Sequence, residues 1–316
     1  MLIVGLFLFA ACEPDEIIQS NSLRYSHPVF DSVKNTRNIH YRTAVSFNGK
    51  STELFLDFSE PYGDSLETRP LIILMHGGGF IQGKREWMKE LSQLFPLYGY
   101  SCANISYRLY DGKDFPLSNE DFFKSFLLAR EDLVSAVDFF VNHASGIDPY
   151  HTDINNIFIA GASAGGIGAL HAIPLNIRKS SNPDIEKISK TIEGDISMNQ
   201  TRGPLVAVRG ILSFAGAVFD TTWITSDYPD VFSVHGTSDN IVPFSEGFIH
   251  IANVISPLAA FGSELIHKQA ATLGFNSVLI PDEGASHINF FKKPELWQEQ
   301  AIVFLASSLW TDSLSF

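Results

Sequence analysis

The hexapeptide Gly161-Ala162-Ser163-Ala164-Gly165-Gly166 follows the apolar run Asn156-Ile157-Phe158-Ile159-Ala160 and opens a second apolar stretch, Ile167 to Ile173. A strand that turns sharply into a helix forces strained angles on the residue at the apex, and flanking glycines remove the Cβ atoms that would crowd it there. The Ser163 hydroxyl is then thrust out above the sheet, over the positive end of the following helix. A plain glycine-rich turn is the alternative. A dinucleotide fingerprint fits worse, because the glycines do not follow G-x-G-x-x-G.

A second motif, His76-Gly77-Gly78-Gly79-Phe80, directly follows the apolar run Leu71-Ile72-Ile73-Leu74-Met75. Three successive glycines leave main-chain N–H groups uncovered. Acyl transfer needs such donors, because its tetrahedral intermediate places a full negative charge on the former carbonyl oxygen.

Together HGGGF and GASAGG resemble the α/β-hydrolase fold in its carboxylesterase and hormone-sensitive-lipase-like branch, over about Tyr41 to Leu309. The resemblance implies that the amides of Gly78, Gly79 and Ala164 form an oxyanion hole and that His76 orients the loop. It also assigns Tyr107 and Arg108, in Asn104-Ile105-Ser106-Tyr107-Arg108-Leu109, to the scaffold.

A serine near its free pKa is a feeble nucleophile, so an imidazole must take its proton and a carboxylate must hold that imidazole in the right tautomer. In this fold the chain order is serine, acid, histidine. The run Val231 to Val234 leads through His235-Gly236-Thr237-Ser238 to Asp239, the expected acid, with an Asx-type turn ahead of Pro243 as its plainer reading. Asp220, Asp227 and Asp230 precede that strand, and His235 and Gly236 serve the turn. Of ten histidines, His287 is the expected base: it lies in the small-residue loop Gly284-Ala285-Ser286-His287 after the last strand. His171, His250 and His267 fall in helical stretches, and Asp282 and Glu283 read as solvated loop charges.

The elements that must position these groups follow from the apolar pattern. Tyr41 to Phe47 and Thr52 to Phe58 alternate around Asn48-Gly49-Lys50, the signal of an antiparallel hairpin at a sheet edge. Continuous runs at Leu71 to Met75, Ser101 to Ile105, Ile157 to Ala160, Gly210 to Phe214, Val231 to Val234 and Ser277 to Ile280 suit strands buried on both faces. Asp121 to Asn142 carries Phe122, Phe126, Ala129, Leu133, Ala136, Val137 and Phe140 at helical spacing, a stripe read as core. The expected fold is α/β, a mostly parallel central sheet with an N-terminal antiparallel hairpin and helices on both faces. Asn176 to Pro204 is polar and interrupts the rhythm, an excursion that could serve as a partial lid. Trp87, Trp223 and Phe80 are candidate pocket walls.

The chain has 316 residues, 45% hydrophobic and 18% charged, which excludes a disordered protein. With 22 Lys+Arg against 35 Asp+Glu its formal charge is −13, which disfavours nucleic acid as a partner. Its two cysteines cannot build a disulfide framework, and Cys102 reads as a buried thiol.

Leu2 to Ala11 is apolar, too short for the roughly 20 helical residues that span a bilayer, and reads as an export signal. Phe9-Ala10-Ala11-Cys12 resembles the lipobox of bacterial lipoproteins, which implies lipid attachment at Cys12 and an address in a bacterial cell envelope. An ordinary cleaved signal and a greasy start of a cytosolic chain are the alternatives. The expected organisation is a signal over 1–12, a tether over 13–38 and one domain over 39–316.

The expected function is hydrolysis of carboxylic esters, of small molecules or carbohydrates bearing acetyl or feruloyl groups, with no metal or organic cofactor. A serine peptidase or amidase on the same fold is one alternative, and a non-catalytic binding protein on a hydrolase scaffold another.

Overall fold

The computed structural model describes residues 23–192, 194, 198–251 and 258–310; the expected signal and Cys12 lie outside the described residues. Strands β1 (Val33–Val45) and β2 (Ser51–Pro61) form the edge hairpin, closing at Val45 opposite Ser51. There follow β3 (Arg69–Met75), helix α1 (Lys89–Leu94), β4 (Ser101–Ile105), α2 (Asn119–Ala144), β5 (Thr152–Ala162) and α3 (Ala164–Leu170). After α4 (Pro183–Thr191) and α5 (Met198–Thr201) come β6 (Gly210–Phe214), β7 (Ala217–Val218), β8 (Asp230–Gly236), β9 (Glu246–Ile249) and β10 (Leu258–Gly262). Helix α6 (Ser263–Leu273), β11 (Ser277–Asp282) and α7 (Gln298–Trp310) complete the described chain.

The central sheet runs β1-β2-β4-β3-β5-β6-β8-β11, antiparallel through β1, β2 and β4 and parallel from β4 to β11. Continuous apolar strands are required here because successive side chains point to opposite faces and both faces are covered. In β3, Leu71, Ile73 and Met75 enter one core, with the α2 stripe, while Ile72 and Leu74 enter a second, with Trp297 and Leu305. The stripe on α2 is buried throughout, as expected of core. Ser118 caps that helix by accepting from the Asp121 amide at 3.0 Å.

Residues 23–38 belong to the body rather than to the tether expected over 13–38. The Tyr25 amide donates to Tyr98 O at 2.9 Å, Arg24 forks onto Asp64 at 3.0 and 2.6 Å, and β1 already starts at Val33. A second sheet, β7-β10-β9, had no counterpart in the sequence reading. The excursion over 176–204 contains, among the described residues, a 3₁₀ turn and two short α-helices and contributes nothing to the cavity described below. Two anchors hold it elsewhere. Buried Arg130 on α2 donates to the carbonyls of Gln200 and Arg202 at 2.7 and 2.9 Å, and Asp220 accepts from Ser180 and Ser181.

At the amino ends of the parallel strands, Asp64 sits between Arg24 and Arg69, with side chains only 4 to 6% exposed. Burial alone would raise its pKa, but hydrogen bonds from Arg24, Arg69 and the Leu66 amide bring it down to about 2. A depressed carboxylate stabilises the fold above the unfolded value and loses that contribution as pH falls through the folded one. Asp64→Asn should therefore cost on the order of 3 kcal/mol at neutral pH, because it leaves the buried Arg24 guanidinium without a carboxylate and Arg69 with Glu60 alone, at 3.4 Å. In thermal melts from pH 7 down to 2, the gap between wild type and variant should be full above about pH 4 and close towards pH 2.

Candidate active site

Ser163 caps α3 at φ 55° and ψ −119°, an arrangement that a non-glycine residue holds only when its surroundings over-determine it. They do so here: the Ser163 amide donates to Phe214 O of β6 at 2.7 Å, and α3 starts against the end of β3. That approach is so close that a Cβ at Gly165 would lie 2.1 Å from Met75 O.

Asp239 follows β8 and His287 follows β11, so both reach the carboxyl ends of the parallel strands, where Ser163 also stands. His287 Nε2 lies 2.8 Å from Ser163 Oγ, and His287 Nδ1 lies 2.6 Å from Asp239 Oδ2. The Asp239 side chain is fully buried whereas His287 keeps 15% exposure, so a ligand can meet the imidazole but not the acid.

Asp239 Oδ1 accepts from the amides of Ile241 and Val242 at 2.8 and 3.1 Å. Burial would raise the pKa of this carboxyl, but hydrogen bonds from His235 and His287, the charge of His287 and the Ile241 amide hold it well below the usual carboxylate range. Asp239 is thus an anion that fixes the proton of His287 on Nδ1 and leaves Nε2 as an acceptor facing the hydroxyl.

His235, read from the sequence as a turn residue, is a further member of this cluster. Its buried Nε2 lies 3.2 Å from Asp239 Oδ2 and 3.1 Å from Val242 O. Both neighbours are acceptors, so this nitrogen carries a proton, while Ser263 Oγ meets Nδ1 at 2.9 Å. The available signal was a histidine four residues before the acid, across the same turn.

The loop from His76 to Phe80 wraps the other side of Ser163. His76 Nδ1 meets Gly77 O at 2.7 Å, its ring stacks on Tyr107 with centroids 4.2 Å apart, and the Tyr107 hydroxyl donates to His76 O at 2.8 Å. His76 therefore shapes the loop, and Arg108 locks the neighbouring segment to Asp132 and Glu131 at 2.8 and 2.7 Å. Gly78, Gly79 and Ala164 border the same cavity as Ser163 and His287, and among the described residues none of their amides is given to another group.

That cavity has a volume of about 940 Å³, at the upper end of the range for small-molecule sites. Trp87 lines it. Phe80 and Trp223, expected as possible walls, lie in the core instead. Asp282 is not a solvated charge: it is 4% exposed and pairs with Lys293 at 2.7 Å. His171 is buried away from the cavity, bonded to Ile167 O and the Phe219 amide, and burial pushes its pKa down to about 3. Asp220, Asp227 and Asp230 hold local turns and neighbouring hydroxyls. Cys102 is buried, and its pKa is raised by that burial.

Solved structures of similar fold include esterases. Esterase 2 of Thermogutta terrifontis phosphorylated by paraoxon is 18% identical, with 90% of this chain and 95% of that chain covered at a TM-score of 0.56. Its propionate-bound form is 17% identical, with 87% and 95% covered at 0.54. A truncated carbohydrate esterase from gut microbiota is 17% identical, with 87% and 96% covered at 0.56. At these identities the likeness establishes the fold, an α/β-hydrolase, and no curated protein matches the chain. The BD-FAE family model matches residues 56–218, a span from β2 to β7 that includes the glycine loop and Ser163. Because that span is more than half of the 316 residues, the chain belongs to the BD-FAE family.

Proposed function

We propose that the chain is a serine hydrolase that cleaves carboxylic esters through an acyl-enzyme, in the manner of a carboxylesterase or lipase. The observation that carries this reading is the unbroken chain of contacts from Ser163 Oγ through His287 to Asp239, at 2.8 and 2.6 Å, on the wall of an open cavity.

In this mechanism Ser163 Oγ attacks the ester carbonyl carbon as its proton passes to His287 Nε2. Asp239 stabilises the imidazolium that results. The carbonyl oxygen, now an anion, is received by the amides of Gly78, Gly79 and Ala164. Collapse expels the alcohol, which takes its proton from His287, and leaves an acyl ester on Ser163. Water, deprotonated by the same imidazole, then releases the acid and restores the serine. Export and lipid attachment at Cys12 belong to the same reading and rest on the sequence alone.

An organophosphonate probe tests the nucleophile. It should label the native chain covalently at Ser163, and labelling should vanish in Ser163→Ala. A native chain that resists the probe and leaves aryl acetates intact would instead be a binding protein on a hydrolase scaffold. Labelling without ester turnover, but with cleavage of peptide anilides, would move the reaction to amides.

A further inference from the structure

Two short ridges face the cavity beyond the reacting groups. Met88, Leu91 and Leu94 recur every third residue at the end of a 3₁₀ turn and along α1, and Phe291, Pro294 and Trp297 recur every third residue after His287. Along α1 that spacing keeps side chains on one face, whereas Phe291, Pro294 and Trp297 come from two 3₁₀ turns broken at Lys293 and the residue after them, and meet at the cavity wall. Met88, Leu91 and Trp297 are buried in the second core, so the walls are backed by packed protein. The polar side chains these segments add to the lining are Glu90, which is exposed, and Gln298, which is half-buried. Neither segment offers the array of polar partners that a sugar ring would require.

A second observation points to the same groove. Ile288, immediately after His287, adopts φ 50° and ψ 17°. For a β-branched residue this left-handed conformation is an outlier, held only when something over-determines it. The Ile288 side chain is 42% exposed and lines the cavity, so burial does not repay the strain. Trp87, 53% exposed, lines it from the α1 side. Two large exposed apolar side chains border a groove that opens at the reactive serine.

We propose that the groove between α1 and the segment following His287 is the subsite for a neutral, unbranched alkyl chain of the ester, with Ile288 held in its strained conformation to contact that chain. The inference rests on the ester-hydrolase reading and narrows its substrates to medium-chain esters. The ridge on α1 runs over seven residues, and its six steps at the α-helical rise of about 1.5 Å cover roughly 9 Å, which is room for about seven carbons beyond the carbonyl.

The test is a ladder of p-nitrophenyl alkanoates, acetate to decanoate, kept below micelle formation, with the full chain. From butyrate to octanoate kcat/KM should rise about three- to fourfold per methylene, the yield expected for burying a CH₂ group, and then level off. In Leu91→Trp, which fills the groove, the octanoate-to-acetate ratio of kcat/KM should fall at least tenfold. In Ile288→Gly the ratio should fall several-fold while Tm holds or rises, because glycine accepts the left-handed backbone. A purely structural isoleucine would lower Tm and leave the ratio alone.

Acetate turnover with a flat ladder, or a ratio unmoved in both variants, overturns the subsite and leaves the hydrolase reading standing. No turnover of any ester, together with no phosphonate labelling, overturns both.

Discussion

Asp239→Asn should lower kcat for a short-chain aryl ester by about three to four orders of magnitude without unfolding the protein. The geometry dictates how the amide must sit. The amides of Ile241 and Val242 both donate to the Oδ1 position, so the carboxamide oxygen occupies that place. The NH₂ group then takes the position of Oδ2, 2.6 Å from His287 Nδ1. A donor there requires Nδ1 to accept, which moves the imidazole proton to Nε2 and points it at the serine oxygen. His287 can then no longer receive the Ser163 proton.

His235 works against this orientation, because its Nε2 proton faces Val242 O as well as Oδ2 and so meets the new NH₂ group. Turning the amide over is worse, since it sets the NH₂ group against the two amides of Ile241 and Val242. Steady-state kinetics beside a thermal melt decide the matter. A folded Asp239→Asn with normal turnover means that another carboxylate supports the base.

The parts of this site differ in how legible they were. Ser163, Asp239 and His287 are 124 and 48 residues apart along the chain as contact pairs, yet the structure places them in hydrogen-bonding reach. They could be picked out because each lies in the turn or loop after a continuous apolar run, and such a run admits few alternatives to a strand buried on both faces. The bounds of β4 and β6 coincide with their apolar runs for the same reason.

What escaped notice depends on partners far away in sequence. Arg24 ties the entering segment to Asp64, 40 residues on, and no local pattern marks that. Strand β7 has only two residues, and β9 pairs with β10 through positions that do not alternate in burial on both strands. Asp282 reads as a loop charge until Lys293 folds back onto it. Phe80 belongs to the glycine loop in sequence but packs on Phe122 and Phe126 of α2, so the motif's aromatic residue anchors the loop from behind.

That anchoring frames the second large effect, at Gly78. Its φ of 114° lies where L side chains are strained, and a Cβ there would come within 2.0 Å of Gln82 O. The loop cannot give way on that side, because the amides of Ile81 and Gln82 both donate to Gly78 O at 3.1 Å and close the turn. Gly78→Ala must therefore displace the peptide units that carry the Gly78 and Gly79 amides.

Those donors meet a full charge only in the tetrahedral intermediate, so losing them should lower kcat about 10²- to 10³-fold with little change in KM. Gly79 provides the internal comparison. Its φ of 65° carries strain, but a Cβ there would meet only side chains, Ile251 at 3.4 Å and Ile81 at 3.9 Å. Gly79→Ala should thus cost far less activity than Gly78→Ala, although the residues are adjacent and the substitutions identical. Equal losses in the two variants, or a loss expressed in KM alone, would show that the loop holds the substrate rather than the oxyanion.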